Sequence, residues 1–189
     1  MYTNPSNIIK TLVQMLNDNR DCIEYVIHDY EPERTLTIFE GMRKTLPRDA
    51  FPSFEIEPTS GSNNWATTRA QRPRYNFNCT LTVVNDNEKY GVEYISSIVT
   101  VLVQLITDPT NLQMQVLNES RWDPNGGLVD TYITDSLVED VTYNASKDGT
   151  IRTAEFSWFA LIHEPYPQSK WDNGDTSMPT IILPEIIEV

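Results

Sequence analysis

At 189 residues, with 27 acidic against 14 basic side chains and a net charge of −13, the chain fits one domain, or one domain with an arm. A compact fold of this size buries roughly 70% of the unfolded chain's surface, so it requires neither a disulfide nor a metal staple. The acidity excludes an ordinary nucleic-acid binder, whose affinity comes from neutralising phosphates with Lys and Arg.

Cys22 and Cys79 stand in different local contexts without CxxC spacing, and both are expected to be reduced and packed. The opening MYTNPSN has no basic or apolar leader region, so no signal peptide is expected. The longest apolar run, around Ile95 to Ile106, is broken by Ser96, Ser97, Thr100 and Gln104. It falls short of the ~20 apolar residues that span a bilayer, which predicts a soluble protein with no membrane partner. Asn78, Asn118 and Asn144 begin glycosylation sequons, which are coincidental without a secretory route.

In chain order, Asn4-Pro5 offers an N-cap followed by proline at the first helical position. Ile9, Leu12, Val13 and Leu16 then form one face of an amphipathic helix, ended by Asn17-Asp18-Asn19. Ile23 to His28 reads as a strand, and residues 34–44 are ambiguous, leaning to strand through Thr35, Thr37 and Ile38 while IFEGMRK is compatible with a helical turn. Phe54 to Pro58 alternates cleanly, and residues 59–72 read as a polar loop carrying Trp65. From Arg74 the chain alternates Tyr75, Phe77, Cys79, Leu81 and Val83 against Asn and Thr, a strand with one buried face.

Asn85-Asp86 starts a second helix, with Ile95, Ile98, Val99, Leu102, Leu105 and Ile106 at helical spacing and Asp108-Pro109 as its stop. Leu112, Met114 and Val116 alternate in a further strand, followed by an Asn- and Gly-rich loop over 118–128 and an acidic strand over 130–143. Residues 137–167 then form a long hairpin about Asp148-Gly149, where glycine tolerates the positive φ of a primed turn. The predicted fold is α+β: a mainly antiparallel sheet, two packed helices, a long C-terminal hairpin and an extended C-terminal arm. Residues 1–167 form the domain and 168–189 the arm.

No segment announces chemistry. His28 and His163 lie apart, and neither is near a G-x-S-x-G elbow. The four Cys and His residues are too scattered for zinc, and 172–175 only faintly echoes a calcium loop. Gly126-Gly127 lacks the lysine and following helix of a phosphate cradle. No cofactor, metal or catalytic residue is therefore expected.

Three features stand out for contact instead. Arg69, Arg72 and Arg74 gather in an acidic chain, either as ordinary surface charge or as bidentate contacts to an acidic partner. Trp65 lies in the same segment, either packed on its own domain or presented at an interface. Ile181, Ile182, Leu183, Ile186, Ile187 and Val189 follow a polar linker. Burying six such side chains grosses about 10 kcal/mol or more before ordering entropy. They form either the domain's last strand or an arm docked on a neighbouring subunit.

The order of an N-terminal amphipathic helix, the strand FPSFEIEP, a loop, the long strand PRYNFNCTLTVV, a helix and a closing hairpin ending EFSWFALIHEPYP resembles the tail-terminator or neck proteins of tailed bacteriophages. The resemblance covers roughly residues 5–167 in layout. It implies a non-enzymatic virion protein, assembled in the host cytoplasm, that forms a hexameric ring. Such a ring stops growth of the tail tube, contacts the sheath in contractile tails, and meets the head-side connector. It would satisfy the last tube ring without offering a copy of that surface. An acidic channel would let DNA pass without specific binding. The alternatives are another head–tail connector or head-completion adaptor ring, a small α+β enzyme using residues 118–130 and His163, and a module binding extended peptides at a sheet edge.

Overall fold

A computed structural model describes residues 3–43, 45–67, 70–85, 88–108, 114–122, 128–147 and 149–165, with the main chain alone at 48, 60–67, 70–73, 88–89, 118–122, 128–130 and 163–165. The fold is α+β, with a mainly antiparallel sheet as expected. Helix α1 (Pro5–Asp18) starts where the Asn4 side chain accepts from the Ser6 N–H at 3.0 Å. It buries Ile8, Ile9, Leu12, Met15 and Leu16. At its end Asn19 donates its side-chain amide to the Met15 carbonyl at 2.9 Å.

The chain then turns directly into α2 (Arg20–His28), so the strand expected over Ile23 to His28 is a helix. Ile23 and Ile27 are buried four residues apart, an ion pair links Arg20 to Glu24, and Tyr25 faces outward at 71% exposure. Ile23, Tyr25 and Ile27 also alternate at period two. That ambiguity produced the strand reading, and tertiary packing settles it against α3.

Strand β1 (Thr37–Glu40) bears out the extended reading of part of 34–44 and runs parallel to β2. Strands β2 (Ser53–Thr67) and β3 (Ala70–Val84) pair antiparallel over most of their length. The polar loop expected over 59–72 is thus mostly strand: Ser60 opposes Asn76 and Trp65 opposes Gln71. Backbone hydrogen bonds hold this ribbon whatever its side chains, so its polar sequence concealed it.

Helix α3 (Glu88–Thr107) follows, then β4 (Gln115–Trp122), β5 (Leu128–Ala145) and β6 (Ile151–Pro165). The described fold has three α-helices where two were expected, and residues 118–122 of the expected loop belong to β4. Met114 and Val116 lie at the start of the expected strand, whereas Leu112 falls outside the described residues.

The sheet order is β1-β2-β3-β6-β5-β4. Strand β3 pairs with β6 from Val84 opposite Ile151 to Ala70 opposite Pro165, joining two half-sheets along a central seam. Helices α1 and α3 lie against the sheet, and α2 packs on α3. The predicted alternation on β3 is borne out: Tyr75, Phe77, Cys79, Leu81 and Val83 are all buried, facing Ala154, Phe156, Trp158 and Ala160 of β6. Phe77 stacks on Trp158 with centroids 4.7 Å apart, and Phe54 on Phe156 at 5.9 Å. The Trp158 indole donates to Ser136 Oγ at 2.7 Å, and that hydroxyl donates to the Ile106 carbonyl at 2.8 Å. One buried hydroxyl thereby ties β6, β5 and α3 together.

One helix among the described residues, α3, is long and apolar enough to cross a membrane by length and composition, which corrects the estimate made from Ile95 to Ile106 alone. Its Tyr94, Ile95, Ile98, Val99, Leu102 and Ile106 are buried in the core. Tyr94 donates to Glu31 at 2.9 Å and stacks on Tyr30 at 5.0 Å. Burial first, then the Glu31 carboxylate, raises the Tyr94 phenol well above the usual tyrosine range.

The β5–β6 hairpin forms as predicted, but its connection is longer than a two-residue primed turn. Ser146 pairs with Ile151 through its N–H at 2.8 Å, leaving residues 147–150 as the loop, with Gly149 at φ +73°. Residue 148 lies outside the described residues. Strand β5 carries register shifts between Ile133 and Asp135 and between Glu139 and Thr142, and Asp140 there takes φ +56°.

Gly91 on α3 is a close approach. A Cβ there would lie 2.5 Å from Arg152 Nε and 3.0 Å from its Cδ. Gly91→Ala is expected to lower stability by about 1–3 kcal/mol, because the inner part of the Arg152 side chain must shift. A denaturant midpoint within error of wild type would show that it moves freely.

Candidate functional site

Alternation on a strand sends successive side chains to opposite faces, so the residues between the core positions form a second sheet face. On β3 these are Arg74, Asn76, Asn78, Thr80 and Thr82, and on β6 they are Thr153, Glu155, Ser157, Phe159 and Leu161. Strand β5 adds Asp135, Leu137 and Glu139, opposite Leu161, Phe159 and Ser157. Among the described residues, no helix packs on this face. It is built of amides, hydroxyls and carboxylates around a small apolar centre of Leu137, Phe159 and Leu161.

A depression of about 270 Å³ on this face is lined in part by Met42, Asn78, Thr80, Asp140, Thr142 and Glu155. Among the described residues, its lining holds acceptors and hydroxyls but no cation and no histidine. Cys79 borders it through its place on β3, but its side chain belongs to the core face, where burial pushes the thiol far above the ordinary cysteine range and disfavours the thiolate. The carboxylates and amide oxygens of this lining can accept hydrogen bonds.

Of the three arginines expected at the loop-to-strand junction, Arg72 and Arg74 lie on β3. Arg74 is inside β3, with its guanidinium 3.8 Å over the Phe159 ring. Its Nε is buried and has no hydrogen-bond partner among the described residues. Arg72 also lies on β3, opposite Asn64 in main-chain register. Arg69 falls outside the described residues, as do Ile181, Ile182, Leu183, Ile186, Ile187 and Val189. Trp65 sits on the paired ribbon rather than in a loop, with only its main chain described.

Arg74→Glu is therefore expected to lower stability by about 1–2 kcal/mol, because it loses the cation–π contact and places a carboxylate against a ring face. Arg74→Lys should retain part of it. Thermal unfolding of the three proteins checks this, and identical midpoints would return Arg74 to a purely external role. The alternation of Arg74 with Tyr75 was legible in sequence, but its stacking partner 85 residues away was not.

His28 ends α2 instead of lying in a strand, and it is exposed. His163 lies on β6 opposite Tyr132. Cys22 is exposed, not packed as expected, and both cysteines are free. Among the described residues, no group of three or more His, Cys, Asp or Glu is arranged to hold a metal ion.

A second exposed apolar region lies where the start of α3 meets the base of the β5–β6 hairpin. Tyr90, Val92, Tyr143 and Ile151 are all exposed there. A depression of about 210 Å³ among them is lined by Val92, Ile95, Ser96, Tyr143 and Ala145, with Arg152 at its base. The body thus offers a contact surface at one end and an acidic sheet face.

No family model and no curated protein matches the chain. Among solved structures, a chain in the virion of native gene transfer agent (GTA) particle is similar, with a TM-score of 0.47 at 6% identity, over 81% of this chain and 92% of that one. A second solved chain gives a TM-score of 0.39 at 15% identity, over 84% of this chain and 98% of its own.

Proposed function

We propose that the protein is a structural virion component of a tailed phage, a tail-terminator-like neck subunit that works as a homo-hexameric ring without catalysis. The observation that carries this is the one-sided sheet. Helices cover one face, while the other presents Asp135, Glu139 and Glu155 in register with polar β3 positions. A surface of that charge placed on a channel would let a phosphate backbone slide without sticking, over a Debye length of about 8 Å at physiological salt. The exposed apolar side chains at the hairpin end suit subunit contact, and the described order of a first helix, β2, β3, α3 and the β5–β6 hairpin supports the reading, with α2 as an added helix and much of the expected loop paired as strand.

In this role the ring binds the last tail-tube ring, and the sheath where one exists. It presents its opposite side to the head connector. The ribbon bearing Trp65, Arg72 and Arg74, together with Arg69 of the intervening sequence, is what we assign to contact with a partner protein.

Negative-stain images of the purified protein, with and without tail tubes, test this. Rings that sit on tube ends support it. A stable monomer that joins neither tubes nor portal-bearing heads overturns it. Rings that bind only heads move the protein to the connector side of the same junction.

A further inference from the structure

The exposed end formed by α3 and the β5–β6 hairpin has chemistry that matches one other part of this chain. Its rim is apolar, with Val92 at 52% and Tyr143 at 51% exposure. Its base holds Arg152, and Lys147 is exposed at the adjoining hairpin loop. These are cationic positions in a chain of net charge −13. Residues 180–189, TIILPEIIEV, carry six large apolar side chains and two glutamates, with no lysine or arginine. An apolar, acidic segment fits an apolar depression with a cationic base.

Distance favours a segment from another copy. The depression lies at the Arg152 end of β6, whereas the described chain ends at Pro165, thirteen residues along the same strand and about 43 Å away. A random coil as long as the sixteen residues to Ile181 would have a root-mean-square span of about 20–24 Å. Fully extended it reaches only about 53–58 Å. Folding back would hold it close to taut, whereas a neighbouring copy can bring its depression to the segment.

We infer that the depression between Val92, Tyr143 and Arg152 receives residues 180–189 of a second copy of this chain. This inference rests on the proposed self-association and adds the receiving surface and its occupant. Exchanged in the same sense around an assembly, such a contact is head-to-tail, so it closes only as a ring. The aromatic face of Tyr143 and the Val92 side chain take the isoleucines, and Arg152 favours the two carboxylates.

Full-length protein with Tyr143 replaced by p-benzoylphenylalanine, photolysed in a mixture of unlabelled and nitrogen-15 chains, reads the occupant directly. Tryptic cleavage after Lys170 leaves residues 171–189 as one identifiable peptide. Mixed light–heavy cross-links from position 143 to that peptide are expected, in yield reduced at least fivefold by Val92→Glu. Cross-links only within one chain, or only to other peptides, overturn the inference. Rings that form without any link to 171–189 overturn the inference and leave the ring intact. A monomer at every concentration overturns both.

Discussion

Trp158→Ala is expected to lower the free energy of unfolding by about 3–5 kcal/mol, the range for deleting a large aromatic from a packed interior. Two losses add. The indole is fully buried and stacks on Phe77 in the central seam, so its removal leaves a cavity between β3 and α3. Its N–H is also the donor to Ser136 Oγ, the hydroxyl that bonds the last turn of α3. Trp158→Phe keeps most of the volume and should fall between wild type and alanine. Ser136→Ala should cost about 1–3 kcal/mol, because it orphans the indole N–H in a dry interior. Urea unfolding followed by circular dichroism checks the series. A loss below about 1 kcal/mol for Trp158→Ala would mean the seam collapses around the gap.

Deletion of residues 178–189 is the second large effect, and it should appear in association rather than in folding. Among the described residues, the hydrophobic core runs from Ile8 to Ile162. Six apolar side chains at roughly 1.5–3 kcal/mol each would be lost from each contact between copies. Sedimentation should show the assembly fall to smaller species, while the thermal midpoint of the body shifts by only a few degrees. Because the contact is mainly apolar, raising sodium chloride should weaken the intact assembly far less than the truncation does. An assembly of unchanged mass after truncation would assign those side chains to some other place.

The legible part of this fold is the part where one residue pattern permits one structure. Helix α1 declares itself by Asn4, Pro5 and an uninterrupted stripe of large aliphatics, and β3 by five buried positions at period two. Helix α2 was not legible, because six residues with Ile23, Tyr25 and Ile27 satisfy strand and helix alike. The phase of β5 was hidden by its register shifts: Ile133 and Ser136 both face the core although three residues apart, an odd interval that a regular strand forbids. The ribbon of β2 and β3 was hidden for another reason, since Ser, Gly, Asn and Thr record no burial and the main chain supplies the pairing. Arg74 looked like loose charge because cation–π stacking depends on Phe159, far along the chain. The acidic face followed from net charge only in kind. Its placement needed the register between β5 and β6.

The seam between β3 and β6 has a kinetic meaning. Strand β3 is translated early, yet the partner of its inner edge is the last strand of the body, so Phe77 and Leu81 lack their β6 neighbours until Ile151–Pro165 is made. Closing that long loop is the entropic bottleneck that high contact order imposes, and it sets the barrier late in synthesis. Ribosome-stalled chains ending before residue 150 should be cut readily by protease, whereas chains extended so that residue 165 has left the exit tunnel should resist. Protection of the shorter chains would mean that the N-terminal half matures alone. Otherwise the newborn subunit has an open seam for most of its time on the ribosome, and crowded translation of many copies carries the hazard of strands pairing between nascent neighbours.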